Sequence, residues 1–111
     1  MEKRPKVMTL FKYRHSMPKE ASESVFKAVR DPTDLNLLMD QAHSALQDCS
    51  ELKLYVTGLS TALVTVINYC IFNSIPLTLM HHDRKTNTYF PQTVRVHTKI
   101  KEKEEKEKNN E

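Results

Sequence analysis

A run of apolar residues at helical spacing predicts the first helix of this chain. The run follows Asp31-Pro32-Thr33-Asp34, in which Asp31 suits the N-cap and Pro32 suits the first helical position. The spacing places the apolar side chains on one face and leaves polar side chains on the other. The apolar positions are Leu35, Leu38, Met39, Ala42, Ala45, Leu46 and Cys49. We therefore predict an amphipathic helix that packs against a sheet.

A second helix, predicted over Thr61–Ser74, is apolar on more than one face. Ser60 or Thr61 is expected to cap it, and Pro76 prevents it from continuing. The face assigned to the sheet comprises Leu63, Val66, Ile67, Cys70 and Ile71. Three more apolar side chains point away from the sheet, and we predict that they form an interface with a partner chain. They are Val64, Tyr69 and Phe72.

Alternation of apolar and polar residues predicts four strands. They are Ser24–Arg30, Glu51–Thr57, Leu77–His82 and Thr93–Ile100. With the helices they follow the order β-α-β-α-β-β. This order predicts an α/β fold, a two-layer sandwich in which a small mixed four-stranded sheet carries both helices on one face.

The distribution of charge divides the chain into three parts. The net charge is +3, but the first 30 residues hold eight basic and three acidic side chains. We interpret residues 1–23 as a basic N-terminal arm and residues 24–100 as the folded domain. Residues 101–111 contain no apolar side chain, and we expect a disordered tail or a solvated helical extension. The moderate basicity is consistent with an anionic partner.

Composition excludes several classes of protein. No apolar run approaches the roughly 20 residues that span a bilayer, and the N-terminus lacks the apolar core of a secretory signal. Cys49 and Cys70 have no CxxC spacing and fall on two different predicted helices. We expect them to be reduced, buried thiols of an intracellular protein.

The junction between the second strand and the second helix is a candidate phosphate site. Backbone N–H groups at a strand–turn–helix junction face one exposed edge and can hold an anion. The residues concerned are Gly58, Ser60 and Thr61. The alternative is an ordinary turn with a Ser cap. It is not a nucleotide-binding P-loop, because no GxxxxGK[ST] motif is present.

A basic surface is predicted around the last two strands. Arg84 and Lys85 lie at the tip of their hairpin, and Arg95, His97 and Lys99 share one face of the last strand. Such a row of cations suits a nucleic-acid backbone, with a plain solvated turn as the alternative. Tyr89 and Phe90 are candidates for base stacking, although a place in the core is the more common role of such a pair.

Neither a metal site nor a catalytic site is supported by the sequence. His81 and His82 point to opposite faces of a strand, so at most one of them can converge with His97. The cysteines occupy apolar helix faces, and no Ser-His-Asp arrangement is indicated. We expect no catalytic residue, no metal and no cofactor.

The phrase Leu54-Tyr55-Val56-Thr57-Gly58-Leu59-Ser60-Thr61-Ala62 resembles the strand–Gly-Leu-Gly–helix junction of the Alba superfamily. The similarity of element order extends over residues 25–100. The stretch Glu51–Leu59 is similar to the strand EIYIHGLG of the smaller Alba-type subunit of ribonuclease P/MRP. Two departures stand out: the second Gly of the turn is Ser60, and Asp31 and Asp34 occupy a loop that carries lysines in archaeal Alba.

The resemblance implies a non-catalytic RNA-binding subunit of a ribonucleoprotein that processes tRNA or rRNA, and a nuclear location. It adds Lys27 and Arg30, just before the first helix, to the RNA-binding residues. It also implies pairing with a second Alba-type chain, with a heterodimer preferred over a homodimer. No membrane or small-molecule substrate is expected. The alternatives are a protein–protein adaptor on the same scaffold and a DNA- or chromatin-binding Alba protein; a small hydrolase has no support beyond isolated Ser, His and Asp residues.

Overall fold

Five strands and two helices make up the part of the chain described by the computed structural model, which comprises residues 2–11, 18–21, 23–27, 31 and 33–94. The elements are β1 (Arg4–Phe11), β2 (Glu23–Phe26), α1 (Leu35–Leu46), β3 (Cys49–Tyr55), α2 (Ser60–Phe72), β4 (Leu77–Asp83) and β5 (Thr88–Val94). The strands form one sheet in the order β2-β1-β3-β4-β5. β1 to β4 are mutually parallel, and β5 pairs antiparallel with β4.

The predicted α/β class and the two helices are confirmed, but the predicted four-stranded sheet is wrong. The additional strand is β1, which lies inside the region interpreted as an arm and is inserted between β2 and β3. The boundary drawn at residue 24 therefore cuts through the sheet. β5 also begins earlier than predicted, at Thr88 instead of Thr93. The remainder of the predicted last strand, residues 95–100, and the tail lie outside the described residues, as do residues 28–30.

Both helices lie on the same face of the sheet. The crossovers β2–α1–β3 and β3–α2–β4 run in the same direction across parallel strands. Because such crossovers are right-handed, both helices pack on one side, and they contact each other there. The core lies between this helix layer and the sheet, and includes Leu38, Leu46, Leu52, Leu54 and Val66. We call the opposite side of the sheet the open face.

β1 contributes to the core despite its basic sequence. Met8 and Leu10 belong to the hydrophobic core, and Leu10 is fully buried. Lys6, on the same face, extends towards the end of α1, where its Nζ donates to Ala45 O at 3.0 Å and to Asp48 Oδ1 at 2.6 Å. These bonds neutralise a lysine whose side chain is only 11% exposed. The bond from Lys6 holds the pKa of Asp48 below its ordinary value.

The N-cap of α1 is Asp34 and not Asp31, which corrects the predicted helix start. Asp34 Oδ1 accepts the backbone N–H of Leu37 at 3.2 Å, the bond expected of an N-cap carboxylate. Asp31 instead forms a local turn, in which Oδ1 accepts from the N–H and the hydroxyl of Thr33. Both bonds lower the pKa of Asp31, and the bond from the Thr33 hydroxyl has the larger effect. The helix therefore starts one turn later than predicted.

The N-terminus of α2 also differs from the prediction, because neither Ser60 nor Thr61 caps it. Leu59 is the N-cap and provides no side-chain hydrogen bond, and Ser60 is the first helical residue. Two side-chain directions were wrong as well. Tyr69, predicted to point outward, is buried against α1, and Ile71, assigned to the sheet, is 42% exposed. Val64 and Phe72 are exposed, as predicted.

We predict that Leu10→Ala lowers the free energy of unfolding by about 2–5 kcal/mol, because it leaves a cavity in the centre of the core. The matched control is Leu35→Ala, where the same atoms are removed from a side chain that is 59% exposed. This control should change the free energy by about 0.5 kcal/mol or less. Urea unfolding measures both. Equal effects of the two variants would contradict a central, buried β1.

Candidate nucleic-acid interface

The parallel strands bring the turn after β3 and the β4–β5 hairpin to one edge of the sheet. Tyr55, the last residue of β3, pairs with Met80 of β4. β4 continues for three residues beyond this pair, to Asp83. At the rise of a strand this extension is about 10 Å. The hairpin tip therefore projects past the edge at which the chain leaves β3 and enters α2.

The hairpin tip is organised by its own polar side chains. Asp83 accepts the backbone N–H of Lys85 at 3.0 Å and the hydroxyl of Thr86 at 3.1 Å. Asn87 has a φ of 54°, the left-handed conformation that Asn tolerates, and its Oδ1 lies 3.0 Å from Nε2 of His82. Arg84 is exposed, like Lys85, and neither forms a salt bridge with another described residue. The turn thus presents two unpaired cations to solvent.

The Gly58 turn is exposed beside this hairpin, but its hydroxyl groups are not equally available. Gly58 and Ser60 are exposed. Thr57 Oγ1 and Thr61 Oγ1 are shielded from solvent and have no hydrogen-bond partner among the described residues. Because α2 has no side-chain cap, its first backbone N–H groups donate no hydrogen bond to a capping side chain. Among the predicted phosphate ligands, the structure therefore exposes the backbone around Gly58 and the Ser60 hydroxyl, while the Thr61 hydroxyl faces inward.

The other predicted RNA-binding residues are not gathered at this point. Lys27 is exposed just beyond β2, three strands away from β4, which corresponds to roughly 14 Å. There it lines a cleft of about 710 Å³ between β2 and α1, which also contains Glu23 and Asp40. Three residues lie outside the described part of the chain, so their positions stay predictions. They are Arg30, Arg95 and Lys99.

The two candidate stacking residues face opposite sides of the sheet. The Tyr89 ring is half-buried and lies 4.9 Å from the Tyr55 ring and 5.2 Å from the His82 ring, in edge-on arrangements. Phe90 packs on His81 at 5.4 Å and is 50% exposed. His81 Nε2 also lies 2.7 Å from Gln92 Oε1. Tyr89 therefore joins an aromatic group on the open face, and Phe90 is partly available to solvent.

A polar cluster on the open face was not anticipated. Glu20, in the segment 18–21, accepts a short hydrogen bond from the Tyr55 hydroxyl and a bond of 3.1 Å from Lys53 Nζ. Both bonds lower the pKa of Glu20, and the bond from Tyr55 has the larger effect. Burial, together with the Glu20 bond, raises the pKa of Tyr55 to about 12. No sequence signal pairs these residues, because 33 positions separate Glu20 from Lys53.

A second surface without charge lies on the helix layer. Val64, Ile71 and Phe72 on α2 are 53%, 42% and 88% exposed. Phe72 borders a groove of about 430 Å³ between the two helices, which Met39 also lines. Tyr69 forms the floor of this groove, where its hydroxyl lies 3.0 Å from Nδ1 of His43. We call Val64, Ile71 and Phe72 the α2 surface.

The thiols are not suited to nucleophilic chemistry. Cys49 and Cys70 are free and buried, although Cys49 begins β3 and does not belong to a helix. Burial raises the pKa of Cys70 to about 12 and also raises that of Cys49. Within the described residues no three His, Cys, Asp or Glu side chains are grouped as metal ligands. Of the two described helices, neither is long and apolar enough to cross a membrane.

Comparison with known proteins assigns this chain to no family. No family model, no curated protein and no solved structure matches this chain. The resemblance to the Alba superfamily therefore stays an expectation from the junction around Gly58, because the described sheet has an additional strand, β1, that the predicted order of elements lacked.

We predict that Gly58→Ala raises the free energy of unfolding by about 0.4–1 kcal/mol, because Ala restricts the unfolded chain. Gly58 does not have a positive φ, and an added Cβ would meet no atom within 4 Å. Urea unfolding tests this expectation, and a less stable variant would contradict it. In a stable variant, weaker RNA binding would indicate that the ligand approaches the backbone at this turn.

Proposed function

We propose that this chain is a non-catalytic RNA-binding subunit of a ribonucleoprotein, of the type found in ribonuclease P/MRP, and that it acts in tRNA or rRNA processing as a dimer of Alba-type chains. The observation that carries the proposal is the edge of the sheet at which the Gly58 turn lies beside Arg84 and Lys85. A helix N-terminus and two unpaired cations at one edge match the requirements of a nucleic-acid backbone.

The character of this edge favours structured RNA recognised through its backbone. The two exposed cations attract phosphates without reading bases, and the exposed backbone around Gly58 adds directional hydrogen-bond donors. The aromatic residues of the neighbouring open face favour RNA with unpaired bases over double-stranded DNA. Asp31 and Asp34 precede α1 where archaeal Alba carries lysines, which weakens the alternative of DNA or chromatin binding.

Pairing with a second Alba-type chain is supported by the α2 surface. α2 contains no charged residue, and three of its large apolar side chains are exposed. Each such side chain gains roughly 1.5–3 kcal/mol when it is buried. A heterodimer is preferred, because a more basic partner would complete the modest positive charge of this chain. A nuclear location is part of the same proposal.

A protein–protein adaptor is the second candidate, and the 88% exposure of Phe72 favours it specifically. In that case the helix layer would be the functional surface, and contact with nucleic acid would be incidental. Titration of a labelled structured RNA at two salt concentrations separates the candidates. RNA bound through phosphates must dissociate more readily at the higher salt concentration.

We predict that replacing Arg84 and Lys85 together with Ala weakens RNA binding and lowers the slope of log affinity against log salt by roughly 1.5. The matched control is Lys3→Ala with Arg4→Ala, which removes one Lys and one Arg from exposed positions at the opposite end of the parallel strands. Fluorescence anisotropy measures both variants. If the control lowered affinity and slope equally, the hairpin would have no special role.

We predict that Phe72→Glu reduces self-association or partner binding, because it introduces a charge at the most exposed side chain of the α2 surface. The control is Leu37→Glu, which introduces the same charge at an apolar side chain of α1 that is 40% exposed and does not line the groove. Sedimentation of the purified chain, alone and with its partner, is the measurement. A monomer unaffected by either change would argue against the proposed interface.

A further inference from the structure

The open face of the sheet contains an anion site that the chain itself fills. Lys53 and Tyr55 alternate along β3 with Leu52 and Leu54, whose side chains belong to the core beneath the helices. Lys53 and Tyr55 therefore project from the open face. Both donate to the carboxylate of Glu20, which comes from a segment far away in sequence. We call these three residues the Glu20 site.

The donors of this site suit a phosphate oxygen as well as a carboxylate. An ammonium and a phenolic hydroxyl both donate hydrogen bonds, and charge-assisted bonds of this kind are the strong ones in phosphate recognition. Tyr55 keeps its proton throughout the physiological range, because the ordinary pKa of a tyrosine is about 10 and burial raises the pKa of Tyr55 further. It therefore remains a donor to whichever anion is present.

Glu20 is held in a way that permits exchange. Its side chain is 46% exposed and that of Lys53 is 39% exposed. An ion pair that is this accessible to water contributes little net stability, because water and salt screen it. A polyanion that reaches Lys53 can therefore compete with the carboxylate.

The surroundings of the Glu20 site provide the other elements of single-stranded RNA binding. The centroid of the Tyr89 ring lies 4.9 Å from that of the Tyr55 ring and 5.2 Å from that of the His82 ring. Tyr55 is buried, but the Tyr89 ring is half-buried and His82 is exposed, and rings that reach solvent next to a phosphate site provide surfaces on which bases stack. His82 precedes Arg84 by two residues, so this group continues directly into the hairpin tip.

We propose that Glu20 occupies the place of an RNA backbone phosphate in the free protein, and that unpaired RNA displaces it from Lys53 and Tyr55. This inference rests on the RNA-binding function proposed above and extends it to the open face. Glu20 then acts as an internal competitor that lowers the affinity for RNA. A ligand with little negative charge does not displace it from Lys53 and Tyr55.

The test compares the binding of a fluorescent RNA hairpin with an unpaired loop to four proteins. These are the wild type, Glu20→Gln, Glu51→Gln and the double variant Glu20→Gln/Lys53→Gln. Glu51 is the matched control, because it is an exposed acid on the same strand and the same face, with no side-chain bond among the described residues. Gln keeps the size of Glu and removes the same charge in both single variants.

We expect Glu20→Gln to bind the RNA about fivefold more tightly, and Glu51→Gln less than about twofold more tightly. The double variant should lose the gain, because Lys53 is the group that Glu20 releases. Equal gains for the two single variants, or weaker binding by Glu20→Gln, would overturn the inference and leave the function intact. No RNA binding by any of the proteins would overturn the proposed function and the inference with it.

A second measurement covers the case in which Glu20→Gln loosens the fold. In the wild-type protein, the NMR signals of the Lys53 ammonium and the Tyr55 ring should shift when the RNA hairpin is added. The Leu10 methyl groups, which are buried in the core, provide the internal reference. Shifts at the Arg84–Lys85 tip with unchanged Lys53 and Tyr55 signals would also overturn the displacement of Glu20.

Discussion

The fold depends on the pairing of β1 with strands on both of its sides. β1 is parallel to β2 along one edge and to β3 along the other, so its removal would divide the sheet. Its buried residues Met8 and Leu10 fill the space beneath the helices, and Lys6 ties the strand to the end of α1. The helices lie in the crossovers that connect β2 to β3 and β3 to β4, and both cover the same face because these crossovers run in the same direction across parallel strands.

The same pairing explains the position of the functional surfaces. Parallel strands end at one edge, and there the turn after β3 meets the extended β4–β5 hairpin. The cations of this edge lie on the β4–β5 hairpin, whereas the apolar α2 surface lies on the helix layer. In the proposed function the two surfaces have separate tasks, since RNA occupies the edge and the open face while a second chain covers α2. In the proposed function Glu20 has a second part, because the carboxylate that accepts hydrogen bonds from Lys53 and Tyr55 of the sheet takes the place of an RNA phosphate in the free protein.

Helices and turns were predicted better than the sheet and the site. The stripe containing Leu38, Ala42 and Leu46 is buried as its periodicity predicts, and the alternation in β3 places Leu52 and Leu54 in the core. The polar tip at Arg84 and Lys85 is a turn, as expected. Within the candidate site, the Gly58 turn was located correctly, but the cap was not. Which side chain caps a helix depends on where its first turn closes, and a shift of one residue exchanges Ser60 for Leu59.

The sequence by itself determined what depends on neighbouring residues: an amphipathic first helix, an apolar second helix, strands that alternate, and the polar tip of a hairpin. Only the tertiary structure decided that the basic segment Arg4–Phe11 is a central strand, because its lysine is neutralised by Asp48, 42 residues away. The direction of Tyr69 was decided in the same way, by His43 on the other helix. The Glu20 site likewise joins residues with no local relation. Periodicity reports which side chains share a face, but the free energy that buries a lysine or a tyrosine comes from partners that only the folded chain brings together.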